Sequence, residues 1–312
     1  MDRIVHRACR ALIAFVQWFP LAGVARAGRV LGWVAWHLDR RHRRIALENL
    51  THTLGGERTP AELRAIAREN MLRLAENYLS LLKIGGMSDA EIGRHLEWTG
   101  VERLWRADGR VGVLVTGHFG NFELFTRLPS QLPAAMGPQT FVSTYRALPQ
   151  PALNRLMQGL RHRDGVHFFE RRTEAEELKQ ALAGGRAWLA LLADQHAGDR
   201  GVWLPFLGRD CSCSASPAVF ALRHRYPLIT AVCYRTGPVR WRWEIGEWIS
   251  ETEHGKRRTI ESITREINSR FEDAIRRDPA NWFWVHRRWK ASSGHQRSSG
   301  PSESASPGAP PR

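Results

Sequence analysis

Apolar runs of four to seven residues recur between positions 95 and 250, and most are separated by segments of helical period. The spacing predicts strands at 95–98, 111–116, 140–146, 166–169, 187–193, 228–234 and 240–245. Helices are expected from Thr59 and Pro60 to Gly85-Gly86, over 151–163, from Thr173 to Gly184-Gly185, over 214–223, and over 259–277 with Ile260, Ile263, Ile267, Phe271 and Ile275 facing inward. Strand, helix, strand repeats of this kind imply an α/β fold, with a mixed, largely parallel sheet flanked by helices on both faces. Residues 197–208 read as a loop with an aromatic and aliphatic tip.

The N-terminal pattern differs. Arg3, Arg7 and Arg10 precede an apolar run over 11–19, and a second apolar stretch through Trp33, Val34 and Trp36 follows Pro20. The first run is shorter than the ~20 residues a spanning helix needs, and Pro20 and Arg26 interrupt the pattern. A secretory signal peptide with Ala25-Arg26-Ala27 as its cleavage site fits this start, and so does an interfacial or re-entrant anchor with Trp18, Trp33 and Trp36 among headgroups. Apolar periodicity continuing past Ala27 favours the anchor. The basic cluster over 39–44 next to it marks the cytoplasmic side of a membrane, attracting anionic lipid by about 1 kcal/mol per residue. The chain therefore divides into a hydrophobic anchor at 1–38, a folded domain at 39–290 and a Ser, Gly and Pro-rich disordered tail at 291–312.

Composition adds a partner class. Forty-six Lys and Arg against 31 Asp and Glu give a net charge of +15, which calls for a polyanion. The 13 Trp suit a membrane interface. No nucleic-acid recognition motif accompanies the charge, so nucleic acid is not expected as a partner. Cys9, Cys211, Cys213 and Cys233 are too irregularly spaced for a disulfide framework or a zinc site, and no metal is expected.

The chemistry concentrates at Gly117-His118-Phe119-Gly120-Asn121-Phe122-Glu123-Leu124. A buried strand ends in a turn carrying His118, and Asn121 is placed to cap a following helix whose first turn holds Glu123. There is no Gly-x-Ser-x-Gly, Walker or dinucleotide pattern. A His-Glu dyad without its own nucleophile suits an enzyme whose substrate brings the hydroxyl. His118 takes the proton as general base, and Glu123 fixes its tautomer. Arg146, Asp194 and Gln195 end two other strands at the same expected sheet edge, where open α/β sheets bind ligands.

These residues resemble the His-x4-Asp/Glu motif of the lipid A late acyltransferases and the wider lysophospholipid acyltransferases. The resemblance extends over Arg44-Ile45-Ala46-Leu47-Glu48-Asn49-Leu50, Tyr145-Arg146, Arg163-Asp164-Gly165, Asp194-Gln195, Pro205-Phe206-Leu207-Gly208 and Trp284-Val285-His286-Arg287-Arg288-Trp289. It implies a glycerol-3-phosphate acyltransferase-like αβα sandwich with an N-terminal membrane-anchoring segment. It also implies acyl transfer from an acyl carrier protein or coenzyme A thioester to a lipid hydroxyl, without cofactor, at the cytoplasmic face of a bacterial inner membrane. The site it implies is catalytic His118 and Glu123, with Arg146, Asp194, Asn121, Gln195 and Arg163 meeting substrate. Trp203, Leu204 and Phe206 are candidates for the mouth of an acyl tunnel. The Cys211-Ser212-Cys213-Ser214 stretch departs from the family pattern, which leaves the acceptor open, and an inactive membrane scaffold remains the reading from another class.

Overall fold

The computed structural model describes residues 2–107, 111–132, 139–199 and 201–290. Four helices come first: α1 (Asp2–Trp18), α2 (Leu21–Leu38), α3 (Arg40–Leu54) and α4 (Pro60–Ile84), with the short α5 (Asp89–Gly93) after them. Pro20 separates α1 from α2, and Asp39 caps α3 by accepting the His42 N–H. Thr59 and Glu62 close a reciprocal capping box at the start of α4, where Pro60 needs no donor.

Seven strands form the main sheet: β1 (Leu96–Thr99), β2 (Gly112–Thr116), β3 (Thr140–Tyr145), β4 (Val166–Glu170), β5 (Ala187–Leu192), β8 (Leu228–Gly237) and β9 (Arg240–Ile249). Their order is β1-β9-β8-β2-β5-β3-β4. Only the β8–β9 hairpin is antiparallel. β2 lies between β8 and β5 and is buried at all its positions, which explains its β-branched, unalternated sequence. Helices α6 (Leu128–Gln131), α7 (Pro151–Arg161), α8 (Ala175–Ala183), α9 (Ser216–His224) and α10 (Ile260–Arg277) lie between and after these strands, and one apolar cluster fills each side of the sheet.

The stretch expected as a loop contains β6 (Val202–Phe206), which pairs with β7 (Arg209–Cys213) in a separate hairpin. Leu204 and Phe206 alternate inward, while Leu207 and Gly208 turn the chain with φ of 50° and 73°. Pro205 and the flanking glycines hide this strand from a propensity reading, and an edge hairpin tolerates that proline.

Among the described residues no helix is long and apolar enough to cross a membrane. Helix α2 is packed on α4: a Cβ added at Gly28 or Gly32 would lie 2.7 Å from Glu76 Cα or 2.6 Å from Leu72 Cα. Beside these contacts Arg29 pairs with Glu69 at 2.8 Å and with Glu76 at 3.3 Å, and Glu76 also takes Arg235 of β8 at 3.1 Å. Helix α1 leaves Ile4, Leu12, Phe15 and Trp18 exposed along one face, and α2 leaves Val30, Leu31, Trp33 and Leu38 exposed while Trp36 is buried. The tail at 291–312 lies outside the described residues.

Candidate active site

Register brings the site together. Thr116, the last residue of β2, faces Leu192, the last of β5, and the Ala193 amide donates to the Thr116 carbonyl at 2.9 Å. Both chains then leave the sheet at one level, so His118 and Asp194 meet although 76 residues separate them. Gly120 completes the His118 turn at φ +51°, where an added Cβ would strike the Cys233 carbonyl.

Asp194 is 1% exposed and binds His118 twice, its Oδ2 accepting the backbone N–H at 2.7 Å and its Oδ1 lying 2.8 Å from Nδ1. The indole N–H of Trp282 donates to Oδ2 at 2.8 Å. Burial alone pushes the Asp194 carboxyl up; the charge and hydrogen bonds of His118, with the Trp282 indole, outweigh it and hold the pKa at about 2. An ionised carboxylate at Nδ1 assigns the proton of neutral His118 to that nitrogen. Nε2 is then the acceptor, 3.3 Å from Nε2 of Gln195. The ring lies against Phe122 and Phe283, at 4.7 Å and 5.5 Å between centroids.

His118 lines a cavity of about 750 Å³, whose apolar walls include Leu189, Leu191, Met157 and Phe220. Arg146, following β3, reaches its rim, and Gln195 lines it beside His118.

Glu123 is not the partner of the imidazole here. Its carboxylate is nearly buried and takes Nε of Arg161 at 2.8 Å and a second guanidinium nitrogen of the same residue. The reason is local. Residues Phe122–Arg127 form a 3-10 helix rather than an α-helix, and the last residue of α7 stands opposite Glu123. Arg161 also lines the cavity, so the ion pair forms part of its wall.

Asn121 makes no capping bond; it is buried beside His118 and Glu123. Arg163, expected at substrate, instead donates to the Gly85 carbonyl at 2.9 Å just beyond the end of α4, and it does not line the cavity. The tunnel-mouth candidates are displaced too. Leu204 and Phe206 belong to the core, Phe206 against Trp282 and Trp289, while alternation in β6 puts Trp203 on the other face, edge-on to His196. Cys211 and Cys213 are fully buried and lie outside the cavity lining.

Arg161 and Trp282 do not stand out in the sequence as site residues. Arg161 carried a signal only as a residue near the end of the helix expected over 151–163, and Trp282 carried none beyond its place in an aromatic run.

A hydroxyl entering the cavity would meet an imidazole whose far nitrogen is fixed by an ionised carboxylate and whose acceptor nitrogen has the Gln195 amide 3.3 Å away. That is the equipment of a general base acting on an oxygen nucleophile. Comparison with known proteins agrees in class. Residues 5–291 match the family model described as bacterial lipid A biosynthesis acyltransferase. The chain is also similar to the phosphatidylinositol mannoside acyltransferase of Mycolicibacterium smegmatis, 24% identical over 258 residues, which cover 80% of each chain. With the family model spanning nearly the whole chain and an acyltransferase among its relatives, the protein is an acyltransferase and belongs to the bacterial lipid A biosynthesis acyltransferase family.

Proposed function

We propose that the protein moves a fatty acyl chain from an acyl carrier protein or coenzyme A thioester to a hydroxyl of a lipid A precursor, with His118 as general base and Asp194 as the group that orients it. The observation that carries this is the doubly bonded His118–Asp194 pair, with His118 lining the cavity together with Gln195, whose amide lies 3.3 Å from Nε2. In this mechanism Nε2 takes the hydroxyl proton as the oxygen attacks the thioester carbonyl carbon. The tetrahedral intermediate collapses to the ester, and the imidazolium returns the proton to the departing thiolate. Asp194 stabilises the imidazolium in between. Glu123 keeps the role of holding Arg161 in the cavity wall. Arg146 at the rim meets an anionic group of donor or acceptor, and the Leu189, Leu191 and Phe220 wall receives the acyl chain.

The exposed apolar face of α1, with Arg7 and Arg10 exposed beside it, supports placement on an anionic membrane surface at the cytoplasmic side of the inner membrane. A second acceptor, a glycolipid of the phosphatidylinositol mannoside kind, is favoured by the name of the M. smegmatis relative. Purified protein supplied with acyl-CoA or acyl carrier protein thioester and each acceptor in turn decides both points. The expected result is acyl transfer to the lipid A precursor, reduced about 10²–10⁴-fold in His118→Ala. Full activity in that variant excludes the mechanism, and transfer only to the second acceptor replaces the first reading of the substrate.

A further inference from the structure

The segment following α10 touches Asp194, Gln195 and His196 in turn. Trp282 donates to the Asp194 carboxylate at 2.8 Å, Arg288 donates to the Gln195 carbonyl at 2.8 Å, and the His196 amide donates to Nε2 of His286 at 3.3 Å. The same segment grips the turn that carries His118. The Gly120 amide donates to the Asn281 carbonyl at 2.8 Å, Phe119 forms an isolated β-bridge with Trp282, and the Phe283 ring lies against the imidazole.

The segment is itself held from behind. Asn49 of α3 donates through Nδ2 to the carbonyls of Trp284 and His286, both at 2.8 Å, and Asn70 of α4 donates to the Ala280 carbonyl at 2.9 Å. Arg288 is fully buried, with Cys213 Sγ at 3.2 Å and the Ser212 carbonyl as further acceptors. Burial draws the His286 pKa down to about 4, which leaves its Nε2 able to accept the His196 amide near neutral pH. The Arg44–Leu50 and Trp284–Trp289 stretches were singled out in the sequence without a chemical task, and these contacts supply one.

We infer that residues 281–288 are a clamp that sets the geometry of the His118–Asp194 pair, with Trp282 a positioning residue that acts through Asp194 and does not touch substrate. The inference rests on the base role proposed for His118. Two loops that leave neighbouring strands carry no intrinsic register beyond the sheet. A single segment bonded to both fixes one against the other to within hydrogen-bond tolerance, which general-base catalysis requires. The indole also shares the Asp194 charge with the imidazole. Removing its N–H concentrates that charge on Nδ1–H, which makes His118 more basic.

Trp282→Phe keeps the ring and loses the donor. The expected result is a kcat lowered about tenfold at unchanged KM, with the acid limb of the pH profile of kcat/KM moved to higher pH. Trp289→Phe is the comparison: this residue lies outside 281–288, and its indole N–H bonds the Phe206 carbonyl at 3.2 Å in the same aromatic cluster. It is expected to lower the melting temperature to a similar extent and to leave the acid limb where wild type has it. Wild type and His118→Ala are assayed alongside. No turnover by wild type, or full turnover by His118→Ala, defeats the base reading itself. If those two behave as proposed, an unmoved limb in Trp282→Phe, or an equal displacement in Trp289→Phe, overturns the clamp.

Discussion

Asp194 accepts hydrogen bonds from the His118 amide, the His118 ring and the Trp282 indole, whereas Glu123 spends its carboxylate on Arg161. The two acids therefore separate under mutation. Asp194→Asn presents an amide to Nδ1 and turns the tautomer, so kcat is expected to fall about 10²–10⁴-fold while the protein stays folded. Glu123→Ala leaves the largely buried Arg161 unpaired, so its main loss is expected in stability, about 2–3 kcal/mol by denaturant titration. The reverse ranking, with Glu123→Ala the more catalytically damaging in folded protein, returns the partner role to Glu123. Acid titration reports on the same site. The Asp194 carboxyl sits at about 2 when folded, below the ~3.9 of an unfolded chain. Its contribution of about 2 kcal/mol is thus present above pH ~4 and is lost as pH falls toward 2. Asp194→Asn should flatten that part of the stability curve; an unchanged slope between those limits rules out the linkage. His118 and Asp194 were each legible as polar residues ending an apolar strand. Their pairing was not, because β2 and β5 are neighbours with β3 and β4 intervening in sequence. A five-residue spacing drew attention to Glu123, yet spacing carries no information on the arginine that arrives from α7.

At the scale of elements, the strands and helices that build the sheet were readable because burial on both faces writes unbroken apolar runs and amphipathic helices write a 3.6-residue period. The β6–β7 hairpin escaped because Pro205 interrupts its apolar run and Gly201 and Gly208 flank it. The 3-10 form of Phe122–Arg127 escaped because helical types differ little in composition. Helix α2 shows the opposite case, where small residues carry the information. Gly28 and Gly32 lie four apart on one face, and each brings the α4 backbone within the space of a Cβ. Gly32→Leu is expected to push α2 off α4 and separate Arg29 from Glu69 and Glu76. The measurable outcome is a loss of several kcal/mol in unfolding free energy, of the size seen for overpacked cores, or failure to accumulate folded protein. Gly23, with open space where its Cβ would stand, is the matched position for Ala. If Gly32→Leu is no worse than Gly23→Ala, the close packing of α2 is not what holds it.

On the scale of the whole molecule, charge and apolar surface act on different aspects of one encounter. The net charge of +15 attracts any anionic surface but fixes no orientation. On the proposed membrane placement, orientation would come from α1, where Ile4, Leu12, Phe15 and Trp18 are exposed with Arg7 and Arg10 nearby. Helix α1 packs against α7, which contributes Met157 and Arg161 to the cavity and carries exposed Leu153. On the proposed placement, a membrane met through α1 would lie beside the cavity that His118 lines, and a lipid hydroxyl would reach the imidazole without its acyl chains crossing water. Two separable dependences follow for vesicle co-sedimentation. Binding should be stronger to anionic than to neutral vesicles and should weaken with salt, since exposed charges are screened over about 10 Å at 0.1 M. It should persist in part at high salt through the apolar face. Phe15→Asp with Trp18→Asp changes two exposed positions, so the melting temperature should hold while high-salt binding disappears. Turnover of acceptor embedded in vesicles should then fall, while turnover of acceptor dispersed in detergent stays near wild type. Equal loss in both formats places the defect in the catalytic domain, and retained high-salt binding moves the membrane face away from α1.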